Sequence, residues 1–418
     1  MKGSLDEEDN KISVGLDAPY LLKGKSIIEG TSLHAELNSL SQSIVLDAHT
    51  IWPMKKKKVN VNLQGLGMNK IINTDLHWDV VNDPHYYGTV SLSSSIERDI
   101  ENKIAASINV NPTEIAFNDS IWTVYPSNIK YQNNEISINS FKASHENQFV
   151  NIDGIISKDF EKEAKVDLAD ISLDYVFETL NINNVTFGGQ ASGTVYASGL
   201  MTNEPILHIP KLDVKGLSYN AAVMGDADIE AKWNNETKGI ELDALIKQKN
   251  KKTTRIDGAI FPTRDSLALN FHPDGANVAF LKPFVKAFTS SVEGEVSGDA
   301  TLYGNFSRIN LYGDVYADIK MKLDYTNVYY SAKDSIKIEP GYIAFKDITI
   351  TDRDGHTGIV DGYLKHDYFS NATFNFLLHD ISDLLCFDLS SKQSPKWYGT
   401  IHGNGSASAS GAPGVVNI

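Results

Sequence analysis

Hydrophobic and polar positions alternate with unusual regularity between Val292 and Tyr325. The even positions Val292, Gly294, Val296, Gly298, Ala300, Leu302 and Gly304 are apolar or small, and the odd positions between them are mostly polar. After a polar break at Asn305–Arg308 the apolar set moves to Ile309, Leu311, Gly313, Val315, Ala317, Ile319, Met321 and Leu323. Side chains of a strand point to opposite faces with a period of two, so the pattern predicts two long strands, each with one greasy and one polar face. The second run covers about fifteen residues, where strands average roughly five or six. A long sheet with one apolar face fits such strands better than a compact sandwich does.

The same pattern recurs along the chain. Ile152-Asp153-Gly154 returns as Ile256-Asp257-Gly258 and as Val360-Asp361-Gly362, with 104 residues between copies. A second marker, Gly189-x3-Gly193, returns as Gly294-x3-Gly298 and Gly399-x3-Gly403. Asp170-Ile171-Ser172 is matched by Asp380-Ile381-Ser382. A period of this length exceeds that of simple solenoids, so each repeat must hold several strands. At eight to ten strands per repeat, the chain would carry roughly 30–40 strands, spaced about 4.8 Å apart. The expected organisation is one continuous elongated domain: a disordered acidic tail at 1–10, a degenerate unit at 11–150, repeats at 151–255 and 256–359, and a partial repeat at 360–418. A short helix-prone segment closes each repeat, at Leu173–Leu180, Asn277–Phe288 and Ser382–Phe387.

Composition narrows the function classes. A net charge of −15 argues against nucleic acid, whose phosphates call for Lys and Arg. The single cysteine excludes an internal disulfide and a thiolate metal cage, and the flanking Leu384, Leu385 and Phe387 place Cys386 in a core. The N-terminal residues lack the apolar stretch of a signal peptide, and no run approaches eighteen apolar residues. The chain stops within a strand-like run, so it is expected to be an internal fragment of a longer protein.

Candidate chemistry is sparse, and no catalytic residue, metal ligand set or cofactor site is assigned. Asp352-Arg353-Asp354-Gly355-His356 lacks the further acceptors and the glutamate of a calcium loop, and reads as a hairpin turn. The histidines show neither His-x-His nor His-Glu-x-x-His spacing. Lys55–Lys58 reads as the lysine guard of an edge strand. The repeated glycines lie on one face of a strand, which suits close backbone approach or sheet bending and not phosphate binding.

Taken in order, Gly294-x3-Gly298-x5-Gly304, Asp334-Ser335-Ile336, Ile343-x-Phe345-x-x-Ile348-x-Ile350-x-Asp352-x-x-Gly355 and Val360-Asp361-Gly362-x-Leu364-x-His366-x-x-Phe369 resemble the TamB family (the translocation and assembly module inner-membrane component) in its Bacteroidota-type form. The likeness is strongest over about 292–388, weaker over 150–291 and faint before that. The family belongs to the AsmA-like, repeating β-groove superfamily of bridge-like lipid transfer proteins. The resemblance implies an all-β, elongated antiparallel sheet curled into a β-taco groove with short interrupting helices. It implies a periplasmic, inner-membrane-anchored bridge that passes phospholipids passively between inner and outer membranes and is linked to outer-membrane biogenesis. The implied partners are phospholipid acyl chains, both membranes and an outer-membrane barrel of the TamA/BamA type, with no nucleic acid. The anchor and the complete C-terminal domain of the family are not in this sequence. The candidate lipid-contacting residues are the inward alternates Val296, Ala300, Leu302, Leu311, Val315, Ile319, Leu323, Ile336, Ile338, Phe345, Ile348, Ile350, Leu364, Phe374, Phe376 and Leu378. The competing reading is an extracellular or surface β-repeat adhesin or scaffold whose apolar face is closed by protein. A polysaccharide-cleaving β-helix would need a short coil repeat and a carboxylate cluster, and neither is present.

Overall fold

The structure is a computed structural model. It describes residues 2–417 apart from 24–25, 55–56, 100, 118–119, 175–186, 220–221, 249–250, 283–288 and 413–414. The described chain is almost wholly strand, in antiparallel pairs, with short 3₁₀ turns at Pro262–Arg264 and Val278–Leu281. The expected all-β, repetitive antiparallel sheet is what these residues form. Among the described residues no helix is long and apolar enough to cross a membrane.

Contacts divide the chain into two units, residues 1–171 with 192–208, and residues 172–191 with 209–418. In the first, the strands from Lys11–Lys23 to Asp83–Arg98 pair in sequence order. Lys57–Met68 is paired on both sides, so it is not the edge strand expected from its lysines. Lys57 and Lys58 instead pair with Asp83 (2.8 Å) and Glu29 (2.7 Å), while Lys55 and Lys56 lie outside the described residues. Two rows of this sheet are interrupted by proline, which has no N–H for the ladder. Ile104–Val110 and Thr113–Phe117 both pair with Asp83–Arg98, either side of Pro112. Ser120–Val124 and Ser127–Gln132 both pair with Glu135–His145, either side of Pro126. Lys2–Asp6, expected within a disordered tail, forms a fully exposed strand against Lys11–Gly15.

In the second unit the strands from Ala222–Asn234 to Gly399–Ala412 form a ladder of sequential neighbours. The two alternating runs at its centre are the strands Val292–Asn305 and Arg308–Leu323, closed by a tight turn at Phe306-Ser307. Strands are long, up to the twenty residues of Ser370–Leu389. Among the described residues, from Gln148–Ile156 to Thr253–Phe261, and from there to Thr357–Asp367, each repeat advances six strands instead of the eight to ten expected, counting Ser266–Asp274 and Ala276–Asn277 as one interrupted strand.

The repeated glycines are explained by the backbone. Gly294 (φ +127°) and Gly362 (φ +148°) adopt a conformation open essentially to glycine, and a Cβ on either would lie 2.1 Å from a carbonyl oxygen of the adjacent strand, that of Asp318 or Asn375.

The closing segments differ from expectation. Ser382–Phe387 is not helical but lies inside the strand Ser370–Leu389. Its pairing with Gly399–Ala412 shifts register at 378/381, 381/384 and 385/387. Asn277–Phe288 begins with the 3₁₀ turn Val278–Leu281, capped by the Asn277 side chain accepting the Ala279 N–H (2.8 Å). Residues 283–288 of that segment, and Leu173–Leu180 from residue 175 on, lie outside the described residues. Cys386 is half-buried instead of core, because Leu384 and Leu385 take the interior positions.

Candidate functional site

Residues directly opposite each other in an antiparallel pair share a face. Following the register from strand to strand in the second unit therefore maps each face. One row runs Ile229, Ala244, Ile256, Phe271, Ala300, Gly313, Ile338, Ile343, Leu364, Phe374, Gly411, crossing eleven strands without a polar side chain. At about 4.8 Å per strand this is roughly 50 Å along the sheet. Beside it run Trp233, Ile240, Ile260, Leu267, Gly304, Ile309, and Phe345, Gly362, Phe376, Ala409.

All sixteen candidate lining residues lie on this face. Val296, Ala300, Leu302, Leu311, Val315, Ile319 and Leu323 share it through the central hairpin. Ile336 and Ile338 join it opposite Val315 and Gly313. Phe345, Ile348, Ile350 and Leu364 follow across the next pair, and Phe374, Phe376 and Leu378 across the last. A bulge between Phe345 and Ile348 lets residues of opposite parity reach the same face. Ile348 and Phe374 are buried and the other fourteen are half-buried. Phe376 meets Phe345 edge-on at 5.3 Å between ring centres and stacks on Phe374 at 5.7 Å. Asp334, opposite Ala317, and Thr254, opposite Ile246, are polar residues on this face.

The reverse face is polar. Glu230, Asp243, Asp257, Asn270, Thr301 and Tyr312 are opposite one another in turn. Cations relieve the crowding of acids: Arg255 pairs with Asp243 (2.6 Å), and His272 bridges Asp257 (3.2 Å) and Asp299 (2.5 Å). The hydrogen bond to Asp299 chiefly, with both aspartate charges, raises the His272 pKa. Six strands on in the ladder, His379 takes the same place between Asp361 (2.7 Å) and Asp380 (3.0 Å), and is raised in the same way.

Parts of the apolar face are covered by the chain itself. Ile229 and Ile256 pack on a core of Ala191, Val214, Leu217, Ala227 and Ile246. The turn Val278–Leu281 touches both Ala222–Asn234 and Val292–Asn305, strands separated by three others in the ladder. At the other end, Val328–Glu339 and Ser370–Leu389 are separated by two strands yet meet again. The Tyr330 hydroxyl donates to Leu385 O (2.7 Å), Asn327 Nδ2 donates to Asp388 O (2.6 Å), and the Asp388 N–H donates to Thr326 O (3.0 Å). Val328, Leu384 and Leu385 are buried there, and burial pushes the Tyr330 phenol up.

Sequence reasoning missed this fold-back, and with it Asp352. The fully buried Asp352 carboxylate accepts the N–H groups of Asp354 (2.9 Å), His356 (2.9 Å) and Leu385 (2.8 Å). Burial opposes its charge, but these three donors override it and hold the carboxyl below its usual range. The turn itself is the hairpin expected, with the Asp352 N–H donating to His356 O (3.0 Å).

Comparisons with known proteins return no match to a family model, a curated protein or a solved structure.

Proposed function

We propose that this chain is a segment of a lipid-transfer bridge of the TamB type, in which phospholipid acyl chains lie against the apolar face of the sheet. The observation that carries this reading is the eleven-strand row from Ile229 to Gly411, in which no polar side chain interrupts the hydrocarbon. Each methylene buried on such a surface contributes about 0.8 kcal/mol wherever it sits, so an acyl chain can shift along it with little change in energy. The reaction is physical transfer, and no residue is assigned a chemical step. The acidic, hydrogen-bonded reverse face suits water. The resemblance of 292–388 to the family adds the setting: the envelope of a diderm bacterium, with membrane attachment through other parts of the protein.

The test is detergent-free purification from a diderm bacterium followed by lipid mass spectrometry. Bound phospholipid in the wild type, and its loss in Val315→Glu and Phe376→Glu chains that remain folded by circular dichroism, support the reading. Persistent absence of phospholipid from the wild type favours an adhesin-like sheet whose apolar face is closed by protein.

A further inference from the structure

We propose that Asp352, His356 and His402 form a Zn²⁺ site that locks the fold-back of the sheet, a property independent of what the apolar face carries. The three residues come from the turn after Tyr342–Thr351 and from the strand Gly399–Ala412, 46 positions apart in sequence. Each offers one ligand atom, and these atoms all lie within 4.8 Å of one another. Two imidazoles and a carboxylate are a donor set suited to Zn²⁺.

Asp352 is the fixed ligand. Three backbone N–H groups hold its carboxylate in place, while Oδ2 faces His356 Nδ1 at 3.4 Å. The histidines supply a second, independent observation. His356 Nδ1 is buried and has no hydrogen-bond partner, although the ring edge is open to solvent. A buried nitrogen left in this way is costly unless something binds it. Its other nitrogen, Nε2, lies 3.5 Å from the Asp383 carboxylate. A proton on Nε2 leaves the Nδ1 lone pair facing Asp352, where a cation would satisfy both. Carboxylate, imidazole and metal in line are the usual arrangement around a histidine ligand. His402 is prepared in the same manner. Its Nδ1–H donates to Asp383 O (2.8 Å), so Nε2 is the nitrogen whose lone pair the neutral ring offers for coordination. The two rings stand edge-to-face, 5.7 Å apart.

Bond lengths near 2.0 Å place tetrahedral ligand atoms about 3.3 Å apart, so small rotations of the two half-exposed histidines close the site around the anchored carboxylate. A water completes four-coordination. The ion would tie the Asp352–His356 turn to Gly399–Ala412 across the segment Asp383–Leu385, where the sheet turns back on Val328–Glu339.

The experiment is titration of the whole chain with Co²⁺ and with Zn²⁺, read by Co²⁺ visible absorption, calorimetry and thermal unfolding. One equivalent should bind saturably, give the absorption of a four-coordinate site and raise the Tm. His356→Gln and His402→Gln should abolish this binding, Asp383→Asn should weaken it roughly tenfold, and His272→Gln and His379→Gln should leave it unchanged. Should the variants unfold, the wild type still decides: Zn²⁺ should protect His356 and His402, and no other histidine, from diethyl pyrocarbonate. No saturable uptake by the wild type, equal affinity in a folded His356→Gln/His402→Gln chain, or protection elsewhere would overturn the proposal.

Discussion

The Asp361 carboxylate accepts the backbone N–H of Asp347 at 2.8 Å, and Asp347 stands in the left-handed region at φ 55°. The same pair occurs one-half of the chain earlier, where Asp153 accepts the N–H of Ser140 (3.0 Å), itself at φ 51°. In both places the ladder slips by one residue, between Ile138 and Phe141 and between Phe345 and Ile348. A bulge turns one N–H out of the ladder, and the aspartate of the Asp-Gly marker supplies the missing acceptor. In these two of its three copies the marker is thus a register device, whereas Asp257 bonds the Asn270 and His272 side chains in an unshifted ladder. Asp361→Ala should lower the urea midpoint, Asp361→Asn should do so less because its amide oxygen can still accept, and Asp347→Gly should not lower it. An unchanged midpoint in Asp361→Ala would remove this role.

The glycine that follows the aspartate makes a separate prediction. Gly362→Ala and Gly294→Ala force a Cβ onto a neighbouring carbonyl at a positive φ, and each should cost about 1–3 kcal/mol in chemical unfolding. Gly15→Ala is the control, because a Cβ there meets nothing within 4 Å, and it should be neutral or slightly stabilising. Equal effects at all three positions would mean that the repeated glycines are not there for the backbone.

The fold-back should be the most sensitive part of the second unit. Leu384 is fully buried, so Leu384→Ala should cost about 2–5 kcal/mol. Tyr330→Phe leaves the Leu385 carbonyl without its hydroxyl donor and should cost about 1 kcal/mol. Hydrogen exchange read at 328–332 and 383–388 should speed up together in either variant. Exchange that rises in one segment alone would show that the two strands are not coupled.

How much of this was legible follows from the period of the pattern. The faces of Val292–Asn305 and Arg308–Leu323 could be read because no bulge disturbs their fourteen paired positions. Beyond Leu378 the alternation fails. Asp380 and Asp383 are both in the left-handed region (φ 51° and 54°), and each bulge adds a residue to the count. The buried residues then fall at Ile381, Leu384 and Leu385, a spacing of three and four that imitates a helix. That spacing makes this strand look helix-prone, and Cys386, placed in a core by its apolar neighbours, follows the two buried leucines at a half-buried position. The Asp352, His356 and His402 cluster has no local signal, because the sheet's register brings His402 beside residues distant in sequence. The sixteen lining positions, in contrast, needed only parity and the bulge between Phe345 and Ile348.

Acid–base behaviour gives a prediction with a sign. His272 and His379 are raised by their aspartate partners, so they gain charge more easily folded than unfolded. Their contribution to stability is complete below the unfolded value of about 6.5 and is lost as pH rises through the folded values. Asp352, held low by its backbone donors, contributes above the ordinary aspartate range and loses its contribution as pH falls. Between about pH 6 and 8 the wild-type urea midpoint should therefore fall with rising pH, and the His272→Gln/His379→Gln chain should show a flatter profile. Identical slopes would show that the two histidines do not carry the effect.

The central claim is that one face of the sheet, and not the other, meets acyl chains. Phe376 and Leu377 are sequence neighbours on opposite faces, as are Val315 and Tyr316. Leu377 (46%) and Tyr316 (50%) are well exposed, so exposure alone would favour labelling there. A photo-crosslinking amino acid at each of the four positions, irradiated in living cells of a diderm bacterium, tests the claim most directly. The account predicts phospholipid adducts at Phe376 and Val315 and none at Leu377 and Tyr316. Adducts confined to Leu377 and Tyr316, or equal at all four positions, would contradict it.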